Sequence, residues 1–151
     1  MRLMIPLAAA ALLAATAAHA DGSATTPSVT LHGQRISVEF ATNNGTREHG
    51  LMMRTVLPAN HGMLFVFPDL QPLTFWMKNT LVPLDILFFD DAKHLVSMQL
   101  DAQPCKADPC ALYPSNRPAR YALELPAGTA TRIGAQVGDT LTVDGDIGPV
   151  Q

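Results

Sequence analysis

Phe75 to Asp90 reads FWMKNTLVPLDILFFD, and the rest of the chain is organised around it. The stretch opens on an apolar, aromatic run, Phe75-Trp76-Met77, which holds the only tryptophan of the chain. A polar cluster, Lys78-Asn79-Thr80, interrupts the run. Pro83 follows, and then a lone carboxylate, Asp85, stands inside the apolar segment Leu84 to Phe89. Two strands are expected here, about Leu73 to Met77 and Leu84 to Phe89, with Lys78 to Pro83 between them. A cation, an amide, a hydroxyl and an anion therefore sit in the most hydrophobic part of the protein. Burying a lysine or an aspartate there is costly unless it is paired. Such groups either face a solvent-filled cleft or satisfy each other or the backbone.

Upstream, Val29 to Leu31 reads as a short strand, and His32-Gly33-Gln34 as a tight hairpin turn. Arg35 to Phe40 alternates, with Ile36, Val38 and Phe40 on one face and Arg35, Ser37 and Glu39 on the other, the pattern of a half-buried strand. Asn43 can cap a helix through its side-chain oxygen. The helix is expected over Thr46 to Met53, with Gly50 suited to its C-terminal end. Met63 to Phe67 is apolar on both faces, which fits a strand covered on both sides. Downstream, Asp90 to Lys93 reads as a hairpin turn. Leu95 to Leu100 alternates again, with Val96, Met98 and Leu100 expected inward.

Gln103 to Pro118 holds both cysteines and several prolines and is expected to be an irregular connection. Ala119 to Leu125 is a strand with Tyr121, Leu123 and Leu125 inward and Arg120 and Glu124 on the opposite face. A short helix is expected over Thr129 to Ile133, stopped by Gly134, and a last strand over Leu141 to Val143. Residues 145–151 read as a loose tail. Many short strands, frequent turn signals and two short helices indicate a mostly β fold, a small barrel or strongly curled, largely antiparallel sheet.

The chain has 151 residues, with Arg2, an apolar run from Leu3 to Ala18 and Ala18-His19-Ala20 at its start. That is the order of a secretory signal peptide over residues 1–20, with cleavage before Asp21. Residues 21–28 read as a flexible leader and 29–144 as one domain. Export places the protein in the periplasm or outside the cell, with no membrane span once the signal is removed. Cleavage takes Arg2 alone and moves the formal charge from −3 to −4. With no basic cluster, the electrostatic footprint of nucleic-acid binding is missing. In an oxidising compartment Cys105 and Cys110 are expected to pair. So short a loop gives about 2 kcal/mol in the chain-entropy model.

Several strings resemble a known family when read in order. They are GLMMR (Gly50 to Arg54), GMLFVF (Gly62 to Phe67), FWMKNTLVPLDILFFD, the Pro-Cys pairs at Pro104-Cys105 and Pro109-Cys110, YPS (Tyr113 to Ser115), PARYALEL (Pro118 to Leu125) and Gly138-Asp139. The chain is similar, over about Ile36 to Val143, to the bacterial and archaeal family called domain of unknown function 192. The resemblance implies a small β-rich secreted or envelope-associated domain and no assigned activity. Where that family starts its first helix with a proline and two acids, this chain has Asn44-Gly45-Thr46, which weakens the expected helix start.

The expected site is a ligand-binding patch of Trp76, Lys78, Asn79, Thr80 and Asp85, with Arg120 and Glu124 reaching it across the barrel. One aromatic face with a few polar groups suits a small or polymeric envelope ligand. The plainer reading makes Asn79 and Thr80 a turn, Trp76 core, Asp85 a cap on backbone amides, and Arg120 with Glu124 a solvated strand face. A second class is an envelope carbohydrate or peptide hydrolase or transferase, using Asp85 with Glu124 or Lys78. A third is metal handling through the five methionines after residue 20 (Met52, Met53, Met63, Met77, Met98) and the cysteines, since soft ligands favour Cu(I). The methionines lack a repeating spacing, and core packing accounts for them better. The histidines are scattered, Ser115 has no neighbouring base, and Cys105 and Cys110 are not in a C-x-x-C. No cofactor and no metal site are expected.

Overall fold

The computed structural model describes residues 26–151. The expected signal segment and most of the expected leader lie outside those residues. Seven strands and two short helices follow one another: β1 (Ser28–Leu31), β2 (Gln34–Ala41), α1 (Asn44–His49), β3 (His61–Trp76), β4 (Leu84–Phe89), β5 (Leu95–Ala102), β6 (Leu112–Pro126), α2 (Thr129–Ile133) and β7 (Thr142–Asp144). The strands form one sheet in the order β5-β4-β6-β3-β2-β1-β7. Only β2 and β3 run parallel; the other neighbours are antiparallel.

The β1–β2 hairpin turns through His32 and Gly33, at φ of 47° and 75°. Two successive positive φ values match the right-handed twist of the flanking strands. The sheet curls until its two ends approach. Leu95 donates its N–H to the Asp139 carbonyl at 2.8 Å, and Leu141 donates to the Lys93 carbonyl at 2.9 Å. The result is a half-barrel, mostly β as the alternation indicated.

Two apolar clusters flank the sheet. One joins Val29, Leu31 and Ile36 from one end to Leu87, Phe89 and Leu95 at the other, which only the inside of the curl permits. The second contains Leu51, Met63, Phe65, Ile86, Phe88 and Ala122 and lies on the outer face. Double coverage explains why Met63 to Phe67 is apolar at every position and Leu84 to Phe89 at every position but Asp85.

Several expectations are corrected. The strands expected at Met63 to Phe67 and Leu73 to Met77 are one strand, β3, broken in register between Val66 and Gln71 and between Pro72 and Thr74. β6 begins at Leu112, inside the connection expected to be irregular. Two of its prolines, Pro114 and Pro118, face Thr74 and Pro72 of β3.

α1 starts earlier and stops earlier than expected. Asn43 Oδ1 accepts the Thr46 N–H at 3.0 Å, while Thr46 Oγ1 accepts the Asn43 N–H at 3.1 Å. That reciprocal box supplies the start that the missing proline and acids left open. On β5, Leu100 is half-exposed rather than inward, and Val96 packs against the outer cluster while Leu95 takes the inner position beside Met98. Three residues of β4, from Leu84 to Ile86, oppose four of β5, from Gln99 to Ala102, and this bulge reverses the alternation. Residues 145–151 are not loose: Ile147 and Val150 pack against the inner core, and Gln151 donates its N–H to the Thr42 carbonyl at 2.9 Å.

Gly62 lies where β3 passes closest to β6. A Cβ there would stand 2.3 Å from the Glu124 carbonyl oxygen and 2.7 Å from the Leu125 side chain. Gly62→Ala is expected to cost about 1–3 kcal/mol through overpacking against backbone. Urea denaturation followed by circular dichroism should show the lower midpoint with an unchanged slope.

Candidate functional site

The outer face of β3 presents Phe65, Phe67 and Phe75. Their rings meet edge to face, with centroids 5.0 Å apart for Phe65–Phe75 and 6.4 Å for Phe67–Phe75. α1 runs across this face without closing it. Its Arg47 lies 5.0 Å from the centre of the Phe67 ring and donates to the Val66 carbonyl at 2.9 Å. Between helix and strand is a cleft of about 300 Å³, lined by Arg47, Glu48, Phe67, Thr74, Phe75 and Trp76 among others. A recess of about 30 Å³ adjoins it, shares Trp76 and Phe75, and is bounded by Gly50, Met52, Thr80 and Glu124. That is room for about one water molecule.

Glu124 lies deepest. It faces Met63 of β3 and Ile86 of β4 and is only 5% exposed. Gly50 at the end of α1 allows the cover over this spot: φ is +49°, and a Cβ there would come 3.2 Å from the Phe65 ring. Among the described residues no side chain or backbone amide donates to the Glu124 carboxyl. Burial pushes it up to about 8. It is therefore a neutral acid at pH 7, able both to donate and to accept a hydrogen bond.

The expected patch is divided by the fold. Trp76 stands at the cleft mouth, 48% exposed. Thr80 is buried and lines the recess. Lys78 is turned elsewhere, its Nζ 5.5 Å from the Trp76 ring centre and 3.4 Å from Asp108 Oδ2 in the cysteine loop. Asn79 forms a turn at φ 56°, and its carbonyl accepts the Met53 N–H at 2.8 Å. Arg120 donates from Nε to the Phe67 carbonyl at 3.2 Å and lies beside Tyr121, away from the cleft. Asp85 is fully buried and accepts the N–H groups of Asp101 at 3.0 Å and Ala130 at 2.9 Å. It pins the β5 bulge and the first turn of α2, as a cap does.

Register separates the two carboxylates. Asp85 pairs with Leu125 of the inner core, whereas Glu124 pairs with Ile86 of the outer cluster. Neighbouring positions on a strand point to opposite faces. The Asp85–Glu124 acid and base pair is thus not formed. The plainer reading, which puts Glu124 on a solvated face, is overturned by the cover from α1 and the following loop. A signal was present in the sequence: Ala122-Leu123-Glu124-Leu125 sets the acid in a run apolar on both faces. The contributions of Arg47, Glu48, Phe67 and Phe75 carried no such signal, because they depend on where α1 crosses β3.

Cys105 and Cys110 form a disulfide, which suits an oxidising environment. With Asp108 they make a three-residue cluster of metal-ligand type, but the paired sulfurs are not thiolates. Met63 and Met77 are buried in the outer cluster, as packing required, whereas Met53 is exposed. Ser115 is a structural hydroxyl: it donates to the Arg117 carbonyl at 2.5 Å and accepts the Leu73 N–H at 3.1 Å. No helix among the described residues is long and apolar enough to cross a membrane.

Residues 27–143 match the model of the family domain of unknown function 192, described as "Uncharacterized ACR", and the chain belongs to that family. No curated protein matches it. Among solved structures, the chain is similar to a Sinorhizobium meliloti 1021 protein described provisionally as a transcription regulator. The identity is 37% and the TM-score 0.72, over 82% of this chain and 97% of that one. It is also similar to a protein of unknown function from Novosphingobium aromaticivorans DSM 12444. There the identity is 31% and the TM-score 0.73, over 85% and 93% of the two chains.

The state of Glu124 has a consequence for stability. Its carboxyl moves from the ordinary 4.5 to about 8, so across that window the folded chain holds a proton that the unfolded chain has lost. Stability therefore falls as pH rises through the window and levels off above it. The loss from pH 5 to pH 8 is expected to be about 2–4 kcal/mol. Glu124→Gln should flatten the profile and exceed the parent chain at pH 8, as read from denaturant midpoints at several pH values.

Proposed function

We propose that this domain is an exported binding module that holds a small envelope ligand, or one unit of a polymeric one, in the cleft between α1 and β3. The observation that carries the reading is the pairing of half-exposed Trp76 at the cleft mouth with neutral, buried Glu124 at the recess behind it. Trp76, Phe67 and Phe75 offer apolar surface to a ring face or to the C–H face of a sugar. Glu124 and the Thr80 hydroxyl read hydrogen-bonding groups that enter the recess. A cleft with mostly aromatic walls and few convergent polar groups is the common form of a small-ligand site. Glu48 and Arg47 at the rim set the outer polarity. The signal-like start and the Cys105–Cys110 disulfide support a periplasmic or extracellular setting.

At this cleft the role is binding rather than turnover. Acid-base chemistry needs two titratable groups within reach of one substrate atom. Asp85 is on the other face and saturated by amides, and Lys78 is held at Asp108. The weakly acidic charge and the lack of a basic cluster weigh against a nucleic-acid ligand.

Trp76 is the only tryptophan, so its fluorescence reports directly on the cleft. Titration with muropeptides, oligosaccharides and small metabolites should find a compound that shifts the emission saturably. Glu124→Ala should weaken that compound about tenfold, the worth of one hydrogen bond. Binding to the parent chain should fall above pH 8, while Glu124→Gln should show no such fall. A screen in which no compound perturbs Trp76 would remove the proposal.

A further inference from the structure

A second arrangement lies on the outer face of β2, away from the cleft. Arg35, Ser37 and Glu39 alternate along the strand, and the parallel register sets His61 of β3 beside Ser37. Ser37 Oγ lies 2.9 Å from His61 Nδ1, and His61 Nε2 lies 2.9 Å from Glu39 Oε1. Arg54 grips both oxygens of Glu39, at 2.5 and 2.7 Å. Those Arg54 bonds, ahead of the bond to His61, hold the Glu39 carboxyl at about 2 despite partial burial. An ionised Glu39 accepts from Nε2–H, which leaves the Nδ1 lone pair for the Ser37 hydroxyl. The imidazole is used in the reverse sense to serine proteases, but the hydroxyl, imidazole and carboxylate connect in the same order. The Asn60 carbonyl, also 2.9 Å from Ser37 Oγ, is the competing acceptor for that proton.

Ser37 opens onto a pocket of about 490 Å³ whose other lining residues are Thr26, Ser28, Arg35 and Asn60. Arg35 is steadied by its Nε bond to Ser28 Oγ at 3.0 Å. Among the described residues, neither the terminal nitrogens of Arg35 nor the Asn60 side-chain amide has a hydrogen-bond partner. They are the donors that a developing oxyanion requires. No apolar residue lines the pocket, so a long alkyl chain meets only the methyl and methylene groups of polar side chains, and the width of the pocket admits a large hydrophilic alcohol.

We infer that Ser37, His61 and Glu39 form an acyl-transfer site that hydrolyses short-chain, acetyl-type esters of polyhydroxylated alcohols. Ser37 Oγ attacks the acyl carbon as its proton passes to His61 Nδ1, and the carbonyl oxygen becomes an oxyanion facing Arg35 and Asn60. Collapse breaks the ester C–O bond, and the leaving alcohol takes the proton from the imidazolium. Water then attacks acyl-Ser37 with the same base, releasing the carboxylic acid and restoring the hydroxyl. Ser37 is the nucleophile and His61 the base. Glu39 is a positioning residue, acting through the imidazole.

The test uses the full chain, p-nitrophenyl acetate and a fluorophosphonate probe. Saturable hydrolysis at least tenfold above buffer is expected, with the probe's mass on the peptide carrying Ser37. Ser37→Ala should return the rate to background. Glu39→Gln should lower kcat about tenfold with KM little changed, and Glu39→Asp should restore part of it. A p-nitrophenyl ester of an eight-carbon acid should be hydrolysed far more slowly. The inference is overturned if Ser37 of the parent chain stays unlabelled. It is overturned equally if Ser37→Ala, melting at the parent's temperature, hydrolyses at the parent's rate. Labelling of the parent chain decides the matter should that variant fail to fold.

Discussion

The central strands of this protein are apolar on both faces, and everything else follows from covering them twice. β3, β4 and β6 would expose a wide hydrophobic surface as a flat sheet. The curl covers one face: Val29 and Leu31 reach Leu87 and Leu95 across the interior. The other face has no second sheet. It is covered piecemeal by α1, by the loop that carries Leu51 and Leu57, and by Met77 and Cys105 beyond the ends of the strands. Hydrophobic burial is roughly proportional to area and has no directional preference, so irregular pieces serve as well as a layer. They also leave gaps, and the cleft beside Trp76 is one of them.

Asp85 and Glu124 show how much the chosen face matters. The two acids lie on neighbouring strands, one register step apart, and both are buried. Asp85 turns inward and finds two backbone N–H groups freed by irregularities, one at the β5 bulge and one at the first turn of α2. A charge with such donors is an anchor. Glu124 turns outward under incomplete cover and finds none, so its proton is retained. Under the proposed function the neutral acid beside a half-exposed indole serves recognition, whereas the saturated carboxylate is scaffold. The same residue types thus divide between stability and function through the direction of one side chain.

Family membership and two solved relatives at 31% and 37% identity fix the fold without assigning an activity. The functional argument therefore rests on sites. Both candidate sites occupy the outer face, where β2, β3 and β6 carry their polar exceptions to an apolar pattern. One is aromatic and recessed, the other polar and open. Under the two proposals, a hydrophilic polymer would be held by ring faces at one site and trimmed of acyl groups at the other.

Alternation and apolar runs in the sequence were enough for a mostly β, curled sheet. Turn chemistry at His32-Gly33, a cap at Asn43 and a stop at Gly134 were legible too, because each depends on local backbone preference alone. Gly50, Trp76 and Thr80 were legible as parts of motifs. Tertiary structure decided what local preference cannot encode. The β5 bulge reversed Leu100, pairing across chain ends drew in residues 145–151, and the crossing of α1 over β3 turned Glu124 from a solvated acid into a buried one. Ser37, His61 and Glu39 met only through a parallel pairing of strands twenty residues apart. Strand periodicity says which residues share a face. Which face is covered, and by what, depends on long-range packing that no single segment specifies.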